Sequence, residues 1–221
     1  MSDTLVHSSP DDERARPLLQ SLDLEYEKRY GDLRAKDDGP PEINRYPVQA
    51  FVPPLGDFLL LIRDGKTVAG GAYMSHDDDT VEIKRGWTDA TLRRQGLSRI
   101  IMAALEDSAV RQGYSRAYLS TGFRQPEAVA LYLSLGYRPL FDTSVDPALV
   151  RSLPFEKLIG KRAGQVSDTP LRPTSASLEA ATALVGRVKD EQERKILARV
   201  ARYRPTPRTS DAPVVQALAG S

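Results

Sequence analysis

Apolar residues recur with two different periods along this chain of 221 residues, and each change of period marks a predicted element. An apolar residue stands at every fourth position from Leu18 to Tyr30, which predicts a helix over residues 17–30 that ends at Gly31. Residues 1–16 are mostly polar and show no such period, so we expect a disordered N-terminus.

Short apolar runs predict three strands over residues 58–88. The first two runs are separated by Asp64-Gly65, which is a strong hairpin signal. The third run, residues 81–88, follows the sequence Asp77-Asp78-Asp79. We interpret these three aspartates as a solvated turn rather than a metal site, because aspartate is a common turn residue. The segment therefore predicts a three-stranded meander.

The hexapeptide Arg93-Arg94-Gln95-Gly96-Leu97-Ser98 connects the third strand to an amphipathic pattern that predicts a helix ending near Gly113. The first N–H groups of a helix lack carbonyl partners inside it, and the helix dipole attracts anions to them. Gly96 allows a tight bend and a close approach of a ligand, and the two arginines add positive charge. The turn suits a pyrophosphate, and an ordinary connection is the alternative interpretation.

A second strand and helix follow at residues 117–121 and 126–136. Pro126 suits the first turn of that helix and Gly136 suits its end. Farther along the chain, residues 153–159 predict a last strand.

Together, the two segments resemble the GNAT superfamily of acyl-CoA-dependent N-acetyltransferases. In that family the pyrophosphate turn reads R/Q-x-x-G-x-G/A, and Arg93, Gly96 and Ser98 stand at its defined positions, with serine replacing Gly or Ala. The later motif reads N-x-x-A-x-x-L-Y-x-x-x-G-Y/F. Its positions are occupied here by Gln125 in place of Asn, then by Ala128, Leu131, Tyr132, Gly136 and Tyr137.

The resemblance implies an α/β GNAT fold over residues 17–160, with a mixed central sheet flanked by helices. After it we expect a Pro-, Ser- and Thr-rich linker over residues 161–176 and a C-terminal basic helix over 177–204, capped by Ser177. Residues 205–221 are expected to be disordered. The apolar stripe of the last helix is interrupted by Gln192, and it packs either on the domain or on a partner chain.

The resemblance also implies acetyl-CoA as the acyl donor. Tyr132 matches the family's tyrosine that faces the coenzyme sulfur and acts as the acid. Backbone groups of Trp87 and Thr88 are expected to pair with the pantetheine arm. The expected acetyl-CoA-binding residues are Trp87, Thr88, Arg93, Arg94, Gln95, Gly96, Leu97, Ser98, Gln125 and Tyr132.

Glu82 is the expected catalytic base, because GNAT enzymes often use a glutamate in the strand before the turn. Burial would raise the pKa of its carboxyl towards the useful range. His76 and Asp89 are alternative bases. The competing interpretation makes Glu82 a structural partner of Lys84 or Arg85.

Composition narrows the chemistry and the location. The chain has no cysteine, which excludes disulfides, thiolate zinc sites and a cysteine nucleophile, and we expect no metal. It has no run of 18 apolar residues and no secretion signal at its start, so we expect a cytoplasmic protein that does not enter a membrane. Residues 161–221 carry 11 Lys and Arg against 6 Asp and Glu, yet without base-reading motifs we do not expect nucleic acid to bind.

The expected reaction is transfer of an acetyl group from acetyl-CoA to a primary amine of a small molecule, such as an amino acid or a polyamine-like metabolite. Two alternatives stay open at this point. One is acetylation of protein lysines or N-termini, and the other is a non-catalytic acyl-CoA-binding module. If the protein is an acyl-CoA-binding module, or if it forms a homodimer, we expect the C-terminal helix to contact the partner protein. Tyr46 and Phe51 are candidate substrate contacts or apolar caps on the core.

Overall fold

The computed structural model describes residues 3–33 and 42–203 and shows a seven-stranded sheet with helices on both faces. The strands are β1 (Asp3–His7), β2 (Gly56–Arg63), β3 (Lys66–Ser75), β4 (Thr80–Thr88), β5 (Arg116–Gly122), β6 (Arg138–Pro139) and β7 (Ser152–Leu158). Their order is β1-β2-β3-β4-β5-β7-β6. Among these seven strands of the described chain, only the β4–β5 pair is parallel, and such a pair requires a crossover connection. The prediction of a mixed sheet flanked by helices is confirmed.

The main helices lie on opposite faces of the sheet. They are α1 (Arg16–Tyr30), α2 (Glu42–Arg45), α3 (Leu97–Arg111), α4 (Pro126–Ser134) and α5 (Leu178–Arg202). Residues of α3 and α4 pack on one face, in a core that includes Ile83 and Leu119, whereas α1 and α5 pack on the other, in a core that includes Leu60 and Met74. Alternate residues of β4 and β5 therefore face two different environments. None of the helices in the described ranges is both long and apolar enough to cross a bilayer.

Most of the predicted elements are confirmed, with shifts of a few residues at their ends. The three-stranded meander is present, and both Asp64 and Gly65 have positive φ, as a type I′ hairpin requires. Ser177 caps α5, its side chain accepting a hydrogen bond from the Ala180 N–H. The apolar stripe of α5 packs on this chain's own domain, where Ala181, Val185 and Ile196 are buried.

The expectation that residues 1–16 are disordered is wrong for the described part of that segment. Residues 3–7 form β1, which pairs antiparallel with β2. Arg63 donates from Nε and Nη2 to the Asp3 carboxylate at 2.6 and 2.8 Å, and His7 lies 2.9 Å from Asp57. Those partners lie about 50 to 60 residues away, so a local pattern carries no trace of them.

The expected linker after residue 160 is held against the domain. The backbone N–H of Arg172 donates to the Leu140 carbonyl at 2.6 Å, and Arg172 forms a bridge with Phe141. The Thr169 hydroxyl donates to Glu156 at 2.9 Å. The expected disordered tail, residues 205–221, and residue 204 of the expected helix lie outside the described residues.

Glu156 of β7 binds residues of β5, β6 and the linker, and we expect it to make the stability of the fold depend on pH. The carboxylate is 1% exposed, and Arg116 and Arg138 donate to it at 2.8 and 2.5 Å. Burial alone would raise its pKa, but the hydrogen bonds from neighbouring hydroxyl groups and both arginines lower the pKa to about 2. A lowered pKa stabilises the fold above the unfolded value near 4.5, and this contribution is lost as the pH falls towards 2.

Urea unfolding at pH 7 and at pH 3 measures this contribution. Glu156→Gln is expected to destabilise the protein at pH 7 by about 2–4 kcal/mol, because it leaves two guanidinium groups without their carboxylate. The variant should also lose less stability than the wild type between pH 7 and pH 3. An equal loss in both proteins would show that other carboxylates cause the acid sensitivity.

Candidate active site

An opening separates the second halves of β4 and β5. The two strands pair only over residues 80–83 and 116–119, although both continue beyond that point. The register between β3 and β4 shifts just before Trp87, where Arg85 has φ 60°. A bulge bends the strand that carries it, so β4 turns away from β5 there. An extended ligand could use the backbone groups along this opening.

The hexapeptide turn follows β4 after a short 3-10 helix (Ala90–Leu92), and its backbone is accessible. Gly96 has φ 77° in the left-handed region, and apart from its chain neighbours no atom of the described residues lies within 4 Å of the position that a Cβ would take. Residues 93–96 are exposed, whereas Leu97 is buried in the core. The first N–H groups of α3 therefore lie beside open space, which is the arrangement that binds an anion.

Side chains of the turn bind three other elements. Arg93 lies 3.8 Å from Glu25 of α1, and the Gln95 side-chain oxygen accepts from Arg63 of β2 at 2.9 Å. The Ser98 and Thr88 hydroxyl groups are 2.9 Å apart. These contacts bring the expected turn residues and Thr88 together, whereas the Trp87 ring packs on the α1 and α5 face.

Gln125 stabilises the turn that precedes α4. Its side-chain oxygen accepts from the Gly122 N–H and from the Thr121 hydroxyl, both at 3.1 Å. The contacts explain why an amide side chain suits this position, and they lie at the end of β5, beside the opening.

Tyr132 lies in α4 with its ring between Phe155 and Tyr137, at centroid distances of 5.7 and 5.9 Å. Burial raises the pKa of its phenol to about 12. Within residues 3–33 and 42–203, no group hydrogen bonds to the Tyr132 hydroxyl. The phenol therefore stays protonated near neutral pH and is available as a donor.

Glu82 is 2% exposed and lies on the other face of the sheet from Ile83. The Lys84 ammonium is 3.0 Å from its Oε1, and His76 Nδ1 is 4.0 Å from its Oε2. The expectation of a raised pKa is wrong. Burial alone would raise it, but the Lys84 charge and the neighbouring imidazole lower the pKa of Glu82 below its usual value. The sequence-based pairing with Lys84 is confirmed, and Glu82 is a carboxylate at neutral pH.

The two alternative bases lie in different places. The His76 ring is 5.1 Å from the Tyr118 ring, and Gln192 of α5 bonds to its Nδ1 at 3.3 Å, so His76 belongs to the surroundings of Glu82. Asp89 instead accepts from the N–H and hydroxyl of Thr91 at 2.8 and 2.6 Å. Those two hydrogen bonds lower the pKa of Asp89. Asp89 is committed to its own turn.

A cavity lies above Glu82 and encloses about 400 Å³, counting the part that opens to solvent. Strands β4, β5 and β7 line one side, and Val188 and Gln192 of α5 line the other. Tyr46 lines the cavity and also belongs to the buried core, where it is 6% exposed, so both interpretations of this residue stay open. Phe51 is fully buried beneath the Arg85 guanidinium, in agreement with its interpretation as part of the core.

Sequence reasoning missed the part of the cavity that comes from the C-terminal segment. Ser152, Arg172 and Lys189 line it, and none of them was expected to. One signal was available, because Gln192 interrupts an otherwise apolar stripe and its side chain faces His76. Among the described residues, no cluster of His, Asp or Glu has an arrangement suited to a metal ion.

Comparison with known proteins gives one family and several relatives. The family described as "Acetyltransferase (GNAT) family" matches residues 16–137. An N-acetylaspartate synthetase of Danio rerio is 31% identical over 112 residues, which are 49% of this chain and 39% of that protein. An IAA acetyltransferase of Azospirillum brasilense is 31% identical over 137 residues, 61% of this chain and 83% of that protein. The chain thus spans well under half of the first relative.

Solved structures share the fold at low identity. A GNAT family acetyltransferase of Staphylococcus aureus Mu50 superposes with a TM-score of 0.56 at 14% identity, covering 72% of this chain and 100% of that one. A GNAT family acetyltransferase of Elizabethkingia anophelis, solved with acetyl-CoA bound, superposes with a TM-score of 0.51 at 14% identity. The match covers 72% of this chain and 99% of that one.

Proposed function

Because the chain belongs to the GNAT acetyltransferase family, we propose that it moves the acetyl group of acetyl-CoA to a primary amine of a small molecule, an amino acid or a polyamine-like metabolite. The observation that carries the proposal is the accessible turn at Gly96, which lies beside the opening between β4 and β5. Because the reaction consumes acetyl-CoA, we also propose a cytoplasmic location.

In this proposal the turn binds the pyrophosphate of acetyl-CoA. The N–H groups of Gln95, Gly96 and Leu97 donate to the phosphate oxygens, and Arg93 and Arg94 supply charge. The pantetheine arm lies in the opening and pairs with β4 near Trp87 and Thr88, as an added strand would. A backbone N–H there polarises the thioester carbonyl.

The amine attacks the thioester directly. Glu82 accepts a proton from the acceptor's ammonium group and passes it through His76 or water to solvent, since His76 is partly exposed. The neutral amine then adds to the carbonyl carbon. As the tetrahedral intermediate collapses, the nitrogen gives its second proton to Glu82, which has passed the first one on, and the C–S bond breaks. The Tyr132 hydroxyl donates a proton to the departing thiolate, and the phenolate regains one from solvent.

The cavity favours a small acceptor over a protein. Val188 and Gln192 of α5 line it opposite the strands, so this helix partly covers the site. A protein lysine would need an open path across this face, where Arg45 of α2 donates to Glu193 of α5 at 3.0 Å. The name of the relative N-acetylaspartate synthetase refers to an acetylated amino acid, and it supports the same choice.

Titration calorimetry with acetyl-CoA tests the donor site. Gly96→Ala is expected to weaken acetyl-CoA binding at least about tenfold, because a Cβ keeps the diphosphate from the amides and strains a left-handed residue. Gly164→Ala is the matched control, since Gly164 has the same φ of 77° and open space at its Cβ position. Equal affinity of the two variants for acetyl-CoA would show that the turn at Gly96 does not bind the coenzyme. Absence of acetyl-CoA binding by the wild type would overturn the proposed function.

A further inference from the structure

The cavity above Glu82 is lined by more positive than negative charge. Four cationic side chains line it, whereas Glu82 is the one acidic side chain among the lining residues that the structure describes. The four cations are Arg45, Lys84, Arg172 and Lys189. Polyamines carry only positive charge, so this lining disfavours them, whereas an acceptor with an anionic group is attracted.

Two of these cations already have carboxylate partners. Arg45 Nη1 lies 3.4 Å from Asp190 and 3.0 Å from Glu193, and Lys84 lies 3.0 Å from Glu82. Their charges are therefore largely compensated within the protein. Lys189 is an exposed residue at the rim, and its charge is screened by solvent.

Arg172 differs, because its side chain contacts neutral oxygens. Its Nη1 donates to the Ser152 carbonyl at 2.9 Å and its Nη2 donates to the Tyr118 hydroxyl at 3.2 Å. In the part of the chain that the structure describes, no carboxylate lies within ion-pair distance of it. A guanidinium has five N–H donors, so donors remain after these two contacts, and the charge is uncompensated.

Arg172 is also held in a fixed position close to the reacting end of the cavity. Its backbone is bound to Leu140 and Phe141, and its guanidinium is bound to Tyr118. Tyr118 is the register partner of Glu82 on the neighbouring strand. One tyrosine side chain therefore separates the uncompensated cation from the carboxylate that accepts the ammonium proton.

We propose that Arg172 binds a carboxylate of the acceptor, so that the acceptor is an amino acid rather than a polyamine. The inference rests on the proposed function and makes its acceptor class specific. The amine lies at Glu82 while the carboxylate accepts hydrogen bonds from the guanidinium, and a site that pairs a charged group rejects the analogue that lacks it.

Pairs of substrates that differ by one carboxylate test this directly. Ornithine and putrescine, lysine and cadaverine, and leucine and isoamylamine are compared by thiol release from acetyl-CoA. We expect kcat/KM for the best amino acid to exceed that of its decarboxylated partner by about 30-fold or more. Arg172→Gln is expected to abolish this preference, mainly by raising KM, and to leave the affinity for acetyl-CoA unchanged.

Two further variants separate binding from folding. Arg172→Lys keeps the positive charge and should retain part of the preference for the amino acid over its decarboxylated partner. If Arg172→Gln does not fold, Arg172→Lys is compared with the wild type instead. Arg187→Gln removes an exposed arginine of α5 outside the cavity and should leave the preference unchanged. Faster acetylation of the amines than of the amino acids overturns the inference and leaves the acetyltransferase proposal standing. Absence of thiol release with every amine overturns both.

Discussion

Replacing Glu82 by glutamine is expected to lower kcat/KM for acetyl transfer by about 10²–10³-fold, the usual contribution of a positioned proton acceptor. Glutamine has nearly the same shape, but its amide cannot take the ammonium proton. It also leaves Lys84 without its carboxylate at 3.0 Å. Initial rates of thiol release at saturating acetyl-CoA measure the effect, and calorimetry should show an unchanged affinity for acetyl-CoA.

The pH profile adds a second test of Glu82. Since the pKa of its carboxyl is lowered, Glu82 is ionised throughout the range in which an enzyme assay is practical. The rise of kcat/KM with pH should therefore follow the ammonium of the acceptor and shift when acceptors of different pKa are compared. Glu179→Gln, on an exposed position of α5, is the matched control. A Glu82→Gln rate close to that of the control would mean that Glu82 is a structural partner of Lys84.

Replacing Gly56 by alanine is expected to destabilise the fold by about 4 kcal/mol or more, since overpacking against rigid backbone belongs to the severe class of mutations. A Cβ at this position would lie 2.2 Å from the Ala50 carbonyl oxygen and 2.4 Å from that of Tyr73. Both are backbone atoms, so a side-chain rotation cannot relieve the clash. Urea unfolding followed by circular dichroism measures the loss.

Gly186→Ala is the matched control for Gly56→Ala. Gly186 lies within α5, and among the described residues no atom outside its own helix turn is within 4 Å of its Cβ position. Alanine there should stabilise the protein by about 0.5–1 kcal/mol, because glycine disfavours a helix interior. If Gly56→Ala unfolded at the same urea concentration as the wild type, the backbone of Gly56 could not lie as close to the Ala50 and Tyr73 carbonyl groups as described.

The elements with strong local patterns could be predicted from the sequence. The hairpin at Asp64-Gly65, the helix after Gly96 and the cap at Ser177 each depend on a few adjacent residues. The lowered pKa of Glu82 could also have been anticipated, because residues two apart on a strand share a face and Lys84 therefore lies beside it.

Other features could not be anticipated, because they depend on partners far along the chain. β1 is stabilised by Arg63 and Asp57, and Arg172 reaches the cavity only because its segment binds beside Phe141. A stretch without periodicity carries no signal of such contacts. The position of α5 could not be anticipated either. Its apolar stripe indicates that the helix is buried on one side, but it does not indicate which surface covers that side.

Part of the cavity lining comes from sequence that follows the family match, and this has an evolutionary consequence. The family match ends at residue 137, whereas Ser152, Arg172 and α5, which contribute to the lining of the cavity, come after it. Under the proposed function, the donor-binding residues lie before residue 137, whereas Arg172, the proposed contact of the acceptor carboxylate, lies after it. If both proposals hold, exchange of the later stretch between relatives would change which amine is accepted and leave the acetyl-CoA-binding residues in place.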